Sequence, residues 1–192
     1  MAVDYTMFRA HPTFYRGIKF RSRLEATWAA FFDQVGWPWE YEPFDLKGWV
    51  PDFLLKGNGR DVLVEVKPVD GTDPDVQNKI SSAAKGYDAH LMICGRQPVF
   101  HEQIIASLWN WCDCGKVHGW RCGWSCRGIV RATDTNQYDI VFGHWDVENL
   151  LTGFRSGRRA GEGGFPLDEF MGREVATLWA RAKNATQWRG PR

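Results

Sequence analysis

The chain has 192 residues, long enough to bury a core without a disulfide framework. Lys and Arg total 24 against 23 Asp and Glu, a net charge of +1 that excludes a highly basic packaging protein and an acidic disordered tail. Hydrophobic residues make up 44% and aromatics 15%, as in a globular protein, and no apolar run is long enough to span a membrane.

The N-terminus lacks the basic patch and apolar stretch of a signal peptide. Five cysteines, an odd count, argue against a secreted disulfide scaffold. The expected setting is a reducing cytoplasm. Eleven tryptophans imply thick packing or flat surfaces for stacking. Between Tyr5 and Leu24 no acidic residue occurs, while Arg9, Arg16, Lys19, Arg21 and Arg23 are basic. That strip is either a solvated face or a local phosphate-binding surface.

In chain order, Ser22 to Val35 reads as a helix. Leu24, Trp28, Phe31, Phe32 and Val35 form one apolar stripe, and Gly36 and Pro38 end it. Trp39 to Leu46 and Trp49 to Leu55 read as strands. Residues 56–60 read as a hairpin turn, and Asp61 to Lys67 as the next strand, with Val62, Val64 and Val66 on one face. Asp75 to Tyr87 reads as a helix and Ala89 to Cys94 as a buried strand. Val99 to Trp111 looks helical, and residues 112–126 irregular. Gly128 to Ala132 and Tyr138 to Phe142 are candidate strands. Residues 153–164 read as a Gly-rich basic loop, and Leu167 to Asn184 as a helix with Phe170, Leu178 and Trp179 buried. The order over residues 22–94 predicts an α/β (α+β) fold with a mixed central sheet.

The strongest constellation is Pro51-Asp52 on one hairpin strand and Glu65-Val66-Lys67 on the next. The tight turn brings Asp52 near Glu65. Strand alternation puts Glu65 and Lys67 on one face. Two adjacent carboxylates repel unless a cation lies between them, and hard oxygen ligands suit Mg²⁺. Such a patch is equipped for metal-assisted phosphodiester hydrolysis. The plainer alternative is a surface hairpin with a cross-strand ion pair. The apolar run Phe53-Leu54-Leu55 and the three valines argue for burial, where charges need a reason.

These residues, in this order, resemble the PD-(D/E)XK nuclease superfamily. The similarity is carried by Tyr15–Ala26, Trp37–Pro43, Val50–Phe53 and Val64–Pro68, and resembles small nucleases of phages and mobile elements. It covers about half the chain, residues 1–97 as a nuclease core. Residues 98–192 are left as an accessory region with a C-terminal helix packing on the core. The resemblance implies a restriction-endonuclease-like α-β-β-β-α-β core and a metal-dependent DNA endonuclease using Mg²⁺ or Mn²⁺. It would act in branched-DNA resolution or end cleavage in a bacterial host cell, with a homodimer as one expected assembly. By position, Asp52 and Glu65 would be metal ligands with the Val66 carbonyl, Lys67 the water- or phosphate-orienting base, and Glu25 an outer ligand. Glu25 also has a plainer role, because Ser22-Arg23-Leu24-Glu25 is a capping box. Arg16, Lys19, Arg21 and Arg23, with Arg155, Arg158 and Arg159, are the candidate DNA contacts. Gln77 and Lys79 open the second helix, where some members place further active-site residues, and match only loosely.

Cys112, Cys114, His118, Cys122 and Cys126 are a candidate zinc knuckle in which four of the five would bind a structural Zn²⁺. The spacings C-x-C and C-x₃-C depart from the usual C-x₂-C, and buried free thiols are the alternative. His11, His90, His101 and His144 show no paired spacing. No phosphate-binding glycine loop occurs, so no ATP dependence is expected. The rival functions are a non-catalytic nucleic-acid-binding adaptor on the same fold, and a protein-interaction module built on the Trp-rich half.

Overall fold

A computed structural model describes residues 10–57, 61–68, 74–98 and 175–187 with their side chains, and 106–109, 125–131, 138–141 and 169–174 by backbone alone. The chain opens with a short hairpin, β1 (Thr13–Tyr15) and β2 (Ile18–Phe20). It turns at Arg16 (φ 49°) and Gly17 (φ 80°), the two successive left-handed residues that a tight hairpin needs. Helix α1 (Arg23–Val35) follows. Ser22 caps its start by accepting the Glu25 N–H, and Gly36 ends it in the left-handed region at φ 75°.

Strands β3 (Trp39–Tyr41), β4 (Phe53–Leu55) and β5 (Asp61–Val66) form an antiparallel meander. Helix α2 (Pro74–Ala83) then crosses to β6 (Ala89–Cys94), which runs parallel to β5. The sheet is therefore mixed, as expected, and the order helix, three strands, helix, strand is the one anticipated. It continues antiparallel through β7 (Ala106–Trp109), β8 (Ser125–Arg131) and β9 (Tyr138–Val141), in the order β3-β4-β5-β6-β7-β8-β9. Helix α3 (Glu169–Ala185) closes the element list.

Several boundaries differ from expectation. The strand expected over 39–46 stops at Tyr41, because Glu42 takes φ 46° and Pro43 offers no N–H to a ladder. The chain then reverses at Lys47 (φ 51°) and Gly48 (φ 86°), with Asp45 Oδ1 accepting the Gly48 N–H at 2.7 Å. Leu46 and Trp49 bridge across that turn, so strand pairing resumes only at Phe53. The α2 helix ends at Ala83 rather than Tyr87, and the chain leaves it through Gly86 at φ 92°. The helical reading of 99–111 is corrected at 106–109, which pair with β6 on one side and β8 on the other. Two flanking ladders satisfy the backbone there and override a helical spacing of apolar residues. Ser125 and Cys126, expected to be irregular, belong to β8.

Strands β4, β5 and β6 are buried on both faces. Val62, Val64 and Val66 of β5, with Phe53 and Leu55 of β4, pack under α1 and α3. Leu63, Leu54, Leu91 and Ile93 pack on the other side with Ile80 of α2 and Ala84 just past its end. Period-two alternation sorts each strand between the two cores. Trp28 joins the layers of the first core: its ring lies 4.8 Å from Trp179 of α3 and 5.5 Å from Phe31. Its Nε1 donates to the Gly95 carbonyl at 2.8 Å. Thr27 and Thr186 share a buried hydroxyl contact of 2.8 Å between α1 and the end of α3. Leu178 and Trp179 are buried as expected. Among the described residues no helix is long and apolar enough to cross a membrane.

Candidate active site

The β4–β5 register pairs Phe53 with Val64, so Asp52 and Glu65 come next to each other where the two strands meet the end of the hairpin. Both are buried, Asp52 at 5% and Glu65 at 8% relative exposure, and Glu25 of α1 is buried at 8%. All three line one cleft of about 450 Å³, together with Lys67, Arg21 and Trp49. Val66 and Lys79 of α2 complete the part of the wall that concerns the chemistry.

Every carboxylate oxygen here has a donor. Asp52 Oδ2 accepts the Val66 N–H at 2.7 Å, and Oδ1 accepts from Arg21 Nη2 at 2.9 Å. Glu65 Oε2 accepts from Trp49 Nε1 at 2.7 Å, while Oε1 is paired with Lys67 Nζ. Glu25 Oε1 takes the Ser22 hydroxyl at 2.6 Å and Oε2 the Tyr41 hydroxyl at 2.6 Å. Glu25 thus faces the cleft, and its link to the helix cap is indirect: its carboxylate holds the hydroxyl of Ser22, and Ser22 is the residue that caps α1. Arg21 spans two acids, with Nε 2.6 Å from Glu42.

The electrostatics follow from burial. Desolvation, then the neighbouring Glu65 charge, pushes the Asp52 carboxyl up to about 7, against the pull of the Val66 N–H and Lys67. Burial and the Glu25 hydrogen bond push the Tyr41 phenol up, which keeps it a donor. Burial also pushes the Cys94 thiol up, well above its ordinary value, which makes this fully buried cysteine a packing group rather than a nucleophile.

The donors present are hard carboxylate oxygens, the type that Mg²⁺ takes. The oxygens facing the cleft belong to carboxylates, and one of them carries a charge that its surroundings disfavour. Among the described residues no three His, Cys, Asp or Glu side chains stand together as a complete metal cage. Two carboxylates finished by water and phosphate oxygens are the usual habit of Mg²⁺, not of Zn²⁺.

The other expected residues are dispersed. Arg16 is ion-paired to Asp33 at 2.8 Å, where it braces the hairpin against α1 rather than lining the cleft. Lys19 and Arg23 are exposed. Arg155, Arg158 and Arg159 lie outside the described residues, as do Cys112, Cys114, His118 and Cys122. Cys126 is placed only as a strand position opposite Ser107. Sequence reasoning gave no role to Trp49 or Tyr41. An aromatic in a strand reads as packing, and only the fold shows that their polar tips reach Glu65 and Glu25. Lys79, matched loosely by position, does reach the cleft wall. In comparisons with known proteins, no family model, no curated protein and no solved structure matches this chain.

Proposed function

We propose that the chain is a metal-dependent DNA endonuclease of PD-(D/E)XK type. The observation that carries this reading is the meeting of Asp52, Glu65 and Lys67 on one cleft wall, at the edge of the apolar core. Two carboxylates this deeply buried carry a desolvation penalty, which Arg21 and Lys67 offset in this structure and which a divalent cation between the acids would offset in their place. Asp52 and Glu65, with the Val66 carbonyl, would hold Mg²⁺ or Mn²⁺. When bound, the metal supplies Lewis-acid chemistry at a phosphodiester.

The chain's own residues do the rest. Trp49 holds one Glu65 oxygen, leaving Oε1 toward Lys67. Lys67, only 26% exposed, orients the attacking water or a phosphate oxygen through Nζ. Arg21, 60% exposed, offers its guanidinium to a phosphate once a metal replaces it at Asp52. Glu25 adds a third carboxylate at the rim of the same cleft.

The test is cleavage of labelled linear duplex, flap, four-way junction and single strand with Mg²⁺ or with EDTA. Cutting should require the metal and vanish in Lys67→Ala while DNA binding persists. A wild-type chain that binds DNA but cuts nothing with Mg²⁺ or Mn²⁺ would overturn the enzymatic reading. The competing reading is a non-catalytic nucleic-acid-binding module. The Arg21–Asp52 and Lys67–Glu65 pairs favour it, since in such a module they would be permanent. A structural zinc on four of Cys112, Cys114, His118, Cys122 and Cys126 is part of the same proposal. It predicts about one zinc per purified chain by elemental analysis.

A further inference from the structure

The β1–β2 hairpin has two unlike faces. Its register pairs Thr13 with Phe20, Phe14 with Lys19 and Tyr15 with Ile18. Directly opposed residues project to the same side of an antiparallel pair. One side therefore carries Tyr15 and Phe20, which pack into the core under α1, with Phe20 fully buried. The other carries Phe14 and Lys19, and Phe14 is 70% exposed, the most exposed large apolar side chain among the described residues. Lys19 is exposed beside it. Two residues further along, about 7 Å of extended chain, stands Arg21, which lines the catalytic cleft.

The hairpin is held rigidly for its size. Arg16 at its turn is ion-paired to Asp33, and the Tyr15 hydroxyl donates to the same carboxylate at 2.9 Å. A Phe left in water on a braced strand, with a cation across from it and a second cation leading into an acidic cleft, forms a short aromatic and cationic track. Aromatic rings take unpaired bases by stacking, and flanking cations take the phosphates. A blunt duplex keeps its bases stacked inside and offers this ring nothing to stack on.

We infer that the outer face of the β1–β2 hairpin is a docking surface for an unpaired DNA strand, with Phe14 stacking on a base and Lys19 and Arg21 passing the backbone into the cleft. The inference rests on the endonuclease reading for its choice of DNA, and it deepens that reading by selecting substrates with a single-stranded segment.

The experiment measures binding of the full chain, in EDTA, to a labelled single strand, a flapped duplex and a blunt duplex. A 2-aminopurine in the unpaired segment reports stacking directly. Phe14→Ala should weaken single-strand and flap binding roughly tenfold, the loss of one base stack, and relieve 2-aminopurine quenching. Blunt-duplex binding should change less than about twofold, and Phe14→Trp should keep the affinity. Phe14 makes no part of the core, so thermal unfolding should match wild type and exclude misfolding. Equal loss on all three DNAs, or no loss on any, overturns the docking surface. Tighter Phe14-dependent binding of an RNA strand of the same sequence overturns the choice of DNA. The two readings fail separately. Cutting that ignores Phe14→Ala removes the surface and leaves the endonuclease, and Phe14-dependent binding without cutting does the reverse.

Discussion

The Tyr41 hydroxyl donates to Glu25 Oε2 at 2.6 Å and accepts the Arg21 backbone N–H at 3.1 Å, so one phenol ties strand β3 to both the helix and the hairpin that flank the cleft. Its ring is held by Phe20 at 4.4 Å and Phe53 at 5.5 Å. Tyr41→Phe keeps that packing and removes only the hydroxyl. Glu25 Oε2 then lacks its donor, at a cost of about 1–3 kcal/mol, while Oε1 keeps the Ser22 hydroxyl. The expected result is a Tm lower by a few degrees and a Mg²⁺ requirement for cleavage shifted to higher concentration. Unfolding measured beside a Mg²⁺ titration of cutting checks it. A purely structural Tyr41 would move the Tm and leave the Mg²⁺ midpoint alone.

Trp49 stands to Glu65 as Tyr41 does to Glu25. Its indole is 3% exposed and its Nε1 supplies the donor to Oε2. Trp49→Phe leaves most of the volume and strands that oxygen, with a stability loss of about 1–3 kcal/mol. Glu65, then held only through Lys67 at Oε1, loses its fixed orientation in the cleft. The DNA cleavage rate at saturating Mg²⁺ should fall by tenfold or more, while DNA affinity stays within about twofold. Paired binding and rate measurements decide. An unchanged rate would remove Trp49 from the site.

The meeting of Asp52 and Glu65 was legible because period-two alternation and a short hairpin fix a register, and a register fixes neighbours. The α1 boundaries were legible because Ser22 and Gly36 are strong local signals. What escaped has a common cause. The strands β1 and β2 have three residues each, too few for alternation to show, and β3, expected from Trp39 to Leu46, ends at Tyr41 where the left-handed Glu42 and Pro43 break the ladder. β7 carries apolar residues at helical spacing, and only its two neighbouring strands decide its conformation. Trp49 and Tyr41 reach carboxylates 16 residues away in sequence, a relationship that exists only once the sheet is formed.

The C-terminal helix is part of the core by contact. Trp179 lies against Trp28 and Phe31, at 4.8 and 5.8 Å, and is 5% exposed. Trp179→Ala opens a cavity under α1 and should cost about 3–5 kcal/mol. For a chain of this size, that lowers the Tm by roughly 10 °C. Because α1 carries Glu25, the same variant should lose cleavage activity well below its own unfolding temperature. Chemical denaturation with a cleavage assay tests this. A change under 1 kcal/mol would mean that α3 lies on the surface of the core rather than within it.

The Asp52 carboxyl makes the site destabilising in the absence of metal, and its sign follows from proton binding. Burial and Glu65 raise it from 3.8 to about 7 in the folded chain. Between those values the folded state holds a proton that the unfolded state has released. Stability must therefore fall as pH rises from about 4 to about 7, by a few kcal/mol in total, and level off above. Asp52→Asn removes the titration. Its amide oxygen can still accept the Val66 N–H, while Arg21, largely exposed, moves away. In EDTA the variant should be flatter with pH than wild type and more stable than it at pH 8. Added Mg²⁺ should reverse that ranking at pH 8, by about 2.7 kcal/mol at a hundredfold excess over its Kd, because only the wild type has the carboxylate to hold it. Urea unfolding from pH 4.5 to 8, with EDTA and with Mg²⁺, measures both effects. A wild-type stability that rises through this range would show that Asp52 is ionised and paired rather than held protonated. Equal Mg²⁺ stabilisation of both proteins would remove Asp52 from the metal site.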